Sequence, residues 1–198
     1  MTMTNKEIEG KAAQVYAKYV PSGNSHKQFM SIMEAEKIKF REVPSENFAF
    51  VGALTRGNNG QMYIMVNKGI DNAGRRNFTI AHELGHYFLA HSLYTNNFFC
   101  SDGEIVEENL ASAPIEREAN YFADCLLMPE DKVKSAFLSM LKNSRKAKIK
   151  DYLHVKNDYT FSIWCGIRQS LTKRYGVSEA ALRYRLRQLN LARFDFST

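Results

Sequence analysis

The sequence predicts an α+β fold, and three observations carry that expectation. Apolar residues recur at helical spacing near the start, and three β-rich runs follow between residues 37 and 68. A strongly apolar stretch around His82, Glu83 and His86 comes directly after them. Helical patterning then continues towards the C-terminus, where basic residues gather.

The elements follow in order. Thr4 and Glu7 stand at capping-box spacing, so a first helix opens there and runs to about residue 19, before Pro21. A second helix is expected over residues 25–36. Residues 37–43, 48–55 and 61–68 alternate in polarity or are rich in β-branched and aromatic side chains, and residues 56–60 read as a turn. Together they predict a small antiparallel sheet. A strand over 61–68 at the edge of that sheet could pair with an extended peptide through backbone groups, although a purely structural strand would have the same sequence.

Residues 82–86 read His-Glu-Leu-Gly-His, an HExxH pentad inside an apolar helical stretch. A four-residue helical step advances about 400°, so His82 and His86 leave one face within reach of a single ion, while Glu83 projects about 100° away, beside it. This is zinc hydrolase geometry. A catalytic Zn2+ takes a third protein ligand and keeps a position open for water. The long metzincin pattern would place glycine at 89 and histidine at 92, where this chain has Leu89 and Ser92. His91 falls one residue short, on a different side of the helix, and reads as a helix-end residue.

The better source of a third ligand is residues 114–129. Pro114, the apolar Ala119, Phe122, Ala123, Leu126 and Leu127, and a closing Pro129 mark a helix of about four turns. Glu116 and Asn120 share one face of it: a carboxylate for the metal beside an amide able to bond a ligand imidazole. Glu118 is the alternative ligand if the helix is phased differently; otherwise Glu118 and Asp124 are solvated or support the ligands from behind. Glu83 is then placed to take a proton from an attacking water and return it to a leaving amine. Tyr94, Tyr152, His154 and Tyr159 could each supply a further donor to a developing oxyanion, and nothing in the sequence selects one.

The block AHELGHYFLAH at 81–91, with EREANYFADCLLMP at 116–129, resembles the ImmA/IrrE family of metallopeptidases. The likeness is close in these two blocks and looser over most of the chain. It implies a zincin-like fold, and an enzyme that acts on a helix-turn-helix repressor to switch on genes of a mobile element or a stress response. It also implies His82, His86 and Glu116 as the zinc ligands and Glu83 as the catalytic base.

Composition agrees with a small cytoplasmic enzyme. At 198 residues and 44% apolar the chain can bury one substantial core, and it lacks a run of about 18 apolar residues that could span a bilayer. The start lacks the basic and then apolar layout of a secretory signal. Cys100, Cys125 and Cys165 are odd in number without CxxC spacing, which fits a reducing compartment.

Charge divides the chain. Residues 132–198 hold 15 Lys plus Arg against 4 Asp plus Glu, and residues 1–131 hold 12 against 17. The expected organisation is a metallopeptidase domain over 1–131 and a basic helical subdomain over 132–198. Within the latter, residues 161–175 and 179–189 read as two helices joined at Gly176-Val177, with Ser178 as N-cap, a helix-turn-helix-like pattern. Arg183 and Arg187 share a face, so a rival reading is a DNA-binding or regulatory module with a non-catalytic metal site. Nucleic acid is possible but not favoured. A structural zinc site would be closed by four Cys or His ligands, Glu179 would place a carboxylate near phosphates, and a mere ligand set needs no Glu83.

Overall fold

The computed structural model describes residues 2–20, 23–44, 50–91, 97–101, 114–143 and 151–195. It is an α+β structure, as expected. Helix α1 (Asn5–Tyr19) opens on the capping box: Thr4 Oγ1 accepts from the Glu7 amide at 3.3 Å, and the Glu7 carboxylate accepts from the Thr4 amide at 2.7 Å. The second expected helix arrives in two pieces, a 3-10 turn Ser25–Lys27 and then α2 (Phe29–Ala35). The Ser25 hydroxyl donates to the Leu126 carbonyl at 2.7 Å, while Phe29, Ile32 and Met33 enter the core.

The sheet contains β1 (Lys39–Val43), β2 (Phe50–Arg56), β3 (Met62–Asn67) and β4 (Asn97–Ser101), in the order β1-β3-β2-β4. Strand β2 runs antiparallel to both β3 and β4, whereas β1 joins β3 in parallel. The sheet is therefore mixed. The tight turn after β2 makes β3 its hairpin partner, and β1 takes the other flank of β3 instead of forming a hairpin with β2. Consequently β3 is an interior strand, bonded on both sides, and has no free backbone row to offer a peptide. Strand β4 lies between α3 and the next helix; residues 92–96, which include Tyr94, and 102–113 lie outside the described residues.

Helix α3 (Ala73–Phe88) starts at Asn72, whose side-chain oxygen accepts from the Arg75 amide at 2.9 Å, and carries the HExxH pentad. One side of it lies on β2 and β3, and another on α4 (Pro114–Leu127), which in turn packs on α1. The α3–α4 crossing is close because of Gly85: a Cβ there would sit 3.0 Å from the Ala119 carbonyl oxygen and 3.1 Å from Ala119 Cα. The apolar stripe of α4, Ala119, Phe122, Ala123, Leu126 and Leu127, is buried throughout.

Beyond α4 come α5 (Glu130–Asn143), β5 (Leu153–Val155), α6 (Asp158–Tyr175), α7 (Glu179–Gln188) and β6 (Ala192–Phe194), which pairs in parallel with β5. One hydrophobic core runs from Leu84 and Phe122 through Phe137 to Trp164, Leu182 and Leu186. Arg185 is buried within it, donating to the Met128 carbonyl at 3.1 Å and pairing with Glu9 at 2.5 Å. Among the described residues, no helix is long and apolar enough to cross a membrane.

Candidate metal centre

The site is built where α3 meets α4. His82 and His86 share the buried face of α3, one turn apart, and Gly85 lets α4 come near enough for Glu116, in its first turn, to reach them. His82 Nε2 lies 3.0 Å from His86 Nε2, and Glu116 Oε2 is 3.1 Å from the first and 3.3 Å from the second. Both imidazoles are fully buried and Glu116 as a residue is 9% exposed.

This triangle has the dimensions of one face of a zinc tetrahedron. Ligand atoms about 2.0–2.1 Å from a tetrahedral centre stand about 3.3–3.4 Å apart. The arrangement also calls for a cation on chemical grounds. His82 Nδ1 lies 2.8 Å from Asn120 Oδ1, an acceptor, so that nitrogen carries the hydrogen and Nε2 turns a lone pair inward. Two imidazole lone pairs and a carboxylate oxygen converging on one buried point repel one another unless a positive charge stands between them.

Electrostatics agree. Burial alone would favour neutral His82, but the bond to Glu116 and the charges of Glu83 and Glu116 outweigh it and hold its pKa above the usual imidazole value. Burial pushes His86 down to about 4, against the pull of Glu116. Burial would raise Glu116 as well, yet its bonds to His82 and His86 keep it well below the usual carboxylate range. A permanent anion therefore faces one imidazole that attracts positive charge and one that stays neutral.

Glu83, the next residue after His82, is fully buried between α3 and β2. Gly52 creates its place: a Cβ there would fall 2.4 Å from Thr79 Cγ2 and 3.1 Å from Glu83 Oε1. The β2–β4 register slips between Phe50 and Gly52, so the strand bends just where it faces Glu83.

His82, His86 and Glu116 thus meet at the α3–α4 crossing, with Asn120 behind His82, while Glu83 lies on the β2 side of α3. Glu118 is not in the triad; it faces His91 at 3.1 Å. Sequence reasoning read His91 as a residue of the helix end and missed its contact with His86, Nδ1 to Nδ1 at 3.0 Å. The signal was present in the spacing but pointed elsewhere. Helix α3 stops at Phe88, and Ala90 takes a positive φ of 61°, which turns the chain back so that His91 is buried beside His86.

The remaining candidates have other partners or settings. His154 bonds Asp195 at 2.6 Å, and Tyr152 and Tyr159 are exposed. Glu179 pairs with Arg168 at 2.7 Å and accepts from the Trp164 indole at 3.2 Å. Arg183 and Arg187 both lie over the Phe194 ring. The turn before α7 packs on α3, where the Gly176 carbonyl accepts from Asn77 at 2.7 Å and a Cβ on Gly74 would sit 2.6 Å from the Ser178 nitrogen. Cys125 and Cys165 are free thiols.

Comparison with known proteins places the chain by sequence. The Peptidase_M78 family, described as the IrrE N-terminal-like domain, matches residues 33–187. No curated protein matches the chain significantly. Among solved structures, a Mycobacterium tuberculosis transcriptional regulator is similar at 15% identity with a TM-score of 0.55. The match covers 91% of this chain and 46% of that one, so the chain spans less than half of the regulator's length. At that identity the likeness is one of fold.

Proposed function

We propose, from the premise that this chain belongs to the Peptidase_M78 family, that it is a zinc-dependent metalloendopeptidase whose ligands are His82, His86 and Glu116 and whose general base is Glu83. The observation that carries the proposal is the buried triangle of two Nε2 atoms and one carboxylate oxygen, 3.0–3.3 Å on a side, with a second carboxylate on the adjoining residue. Zinc rather than magnesium or calcium suits two imidazoles and one carboxylate, because the harder cations prefer all-oxygen sets.

When bound, the metal would supply Lewis acidity towards water and a peptide carbonyl, leaving the protein to position and move protons. Glu83 accepts the proton of the attacking water on one carboxylate oxygen and delivers it to the amine as the peptide bond breaks. Its burial between α3 and β2 restricts its motion and keeps competing water away. Asn120 holds His82 with its Nε2 lone pair turned towards His86 and Glu116, where the metal would be held.

The substrate we propose is a helix-turn-helix repressor, whose cleavage would release genes of a mobile element or a stress response; the support is the family membership together with the two sequence blocks. A cytoplasmic setting is in keeping with the free thiols of Cys125 and Cys165. Direct DNA reading by α7 is disfavoured, since the turn at its N-terminal end is packed on α3. The test is co-expression with a repressor encoded beside the gene: wild type cleaves it, and Glu83→Gln retains zinc but leaves the repressor intact. Cleavage persisting in Glu83→Gln would refute the assignment of the base.

A further inference from the structure

We propose that His91 and Glu118 are positioning residues for His86, and that the backbone amide of Met3 completes the same device. The inference rests on the metal-site reading above and adds a support that runs from the N-terminal segment to one ligand. Its contacts form a continuous chain. His86 Nδ1 lies 3.0 Å from His91 Nδ1, His91 Nε2 lies 3.1 Å from Glu118 Oε2, and Glu118 Oε1 accepts from the Met3 amide at 2.8 Å. The two rings meet edge to face, with centroids 5.1 Å apart. His91 is 2% and Glu118 6% exposed, so neither contact is diluted by bulk water.

The chain also has a direction. Carboxylate oxygens only accept, so His91 Nε2 carries the hydrogen that Glu118 receives. In the neutral ring, His91 Nδ1 is then an acceptor, and the hydrogen between the two histidines belongs to His86 Nδ1. His86 Nε2 is left as a lone pair aimed at the triad. Each link fixes the tautomer of the one before it, and an anion at the far end makes His86 a stronger electron donor.

The two ligand imidazoles are thus supported differently. Asn120 gives His82 a neutral acceptor, whereas His86 is backed by a carboxylate relayed through a second imidazole. Ala90 provides the geometry: its positive φ is an unfavourable conformation for a residue with a Cβ, and it is held where it swings His91 under His86.

The test compares zinc affinity, by chelator competition, in wild type, His91→Phe and Glu118→Gln, alongside the visible spectrum of each protein loaded with Co2+. His91→Phe fills the space but removes the acceptor, and zinc affinity should fall about 10- to 100-fold with a shifted cobalt spectrum. Glu118→Gln keeps the shape and one acceptor oxygen for His91, but removes the charge and turns an NH2 towards the Met3 amide, and should give a smaller loss with a spectral shift in the same direction. If both variants fold and bind zinc within about twofold of wild type, the relay is merely structural and the proposal is overturned. Should His91→Phe fail to fold, the isosteric Glu118→Gln decides alone. Wild-type protein that takes up no zinc would instead overturn the metal-site reading, and this inference with it.

Discussion

Replacing Gly85 by alanine tests whether the close α3–α4 crossing sets the metal geometry. The new methyl would meet the Ala119 carbonyl oxygen at 3.0 Å, Ala119 Cα at 3.1 Å and Phe122 Cδ1 at 3.3 Å. Comfortable carbon contacts are about 3.5–4.0 Å, so α4 must recede by roughly 0.5 Å. Overpacking of this kind costs about 1–3 kcal/mol, while alanine in a helix interior recovers about 1 kcal/mol relative to glycine, leaving a net loss of about 0–2 kcal/mol. The metal site should be hurt more than the fold. Glu116 is one turn from Ala119 on the receding helix, and ligand distances tolerate only about 0.2 Å. Zinc affinity should therefore drop by at least about tenfold, or 1.4 kcal/mol, in chelator competition, while the metal-free protein loses no more than about 2 kcal/mol in urea unfolding. A variant that is about 1 kcal/mol more stable and binds zinc as tightly as wild type would show slack at the crossing and refute the argument.

Two further outcomes follow from the same contacts. Arg185→Met takes the donor from the Met128 carbonyl and the guanidinium from Glu9, which keeps the Tyr121 hydroxyl, and should cost about 3 kcal/mol in urea unfolding; a loss under about 1 kcal/mol would mean that the buried ion pair only balances its own desolvation. Zinc binding should weaken on acidification, because His82, whose pKa Glu116 and Glu83 hold above the ordinary value despite burial, takes up a proton in place of the metal. Below that pKa one proton is displaced per ion bound, so affinity should fall about tenfold per pH unit, and a flat profile from pH 7 to 5 would contradict the ligand assignment.

The residues that meet at the candidate site were more legible in the sequence than the architecture. His82, Glu83 and His86 are fixed relative to one another by helical geometry alone, and Glu116 and Asn120 by the same rule on a second helix. What brings the two helices together is Gly85 against Ala119, a contact between residues 34 apart in sequence that no local pattern announces. The interior position of β3 and the parallel pairing of β1 were hidden for a related reason, since strand sequences record which faces are buried but not which neighbour supplies the hydrogen bonds. His91 was misjudged for a local reason: five residues past His86 is the wrong side of a continuing helix, and the positive φ of Ala90 ends that continuity one residue before it.

Helix rules also located α6, though three residues late, and α7 with its cap at Ser178; the Asn157 cap that opens α6 was not anticipated. They could not foretell that the turn between them packs on α3, or that Arg185, on the same helix as Arg183 and Arg187, is swallowed by the core. A basic helix in sequence is a count of charges. Whether those charges face solvent depends on partners such as Glu9, which lies 176 residues away.

The most direct measurement is X-ray absorption at the zinc edge on protein purified without added metal, paired with metal analysis. The account predicts one zinc per chain with two imidazole nitrogens and carboxylate or water oxygens at about 2.0–2.1 Å, and loss of an oxygen scatterer or of the metal in Glu116→Ala. A sulfur scatterer, or an unchanged coordination sphere in Glu116→Ala, would contradict it.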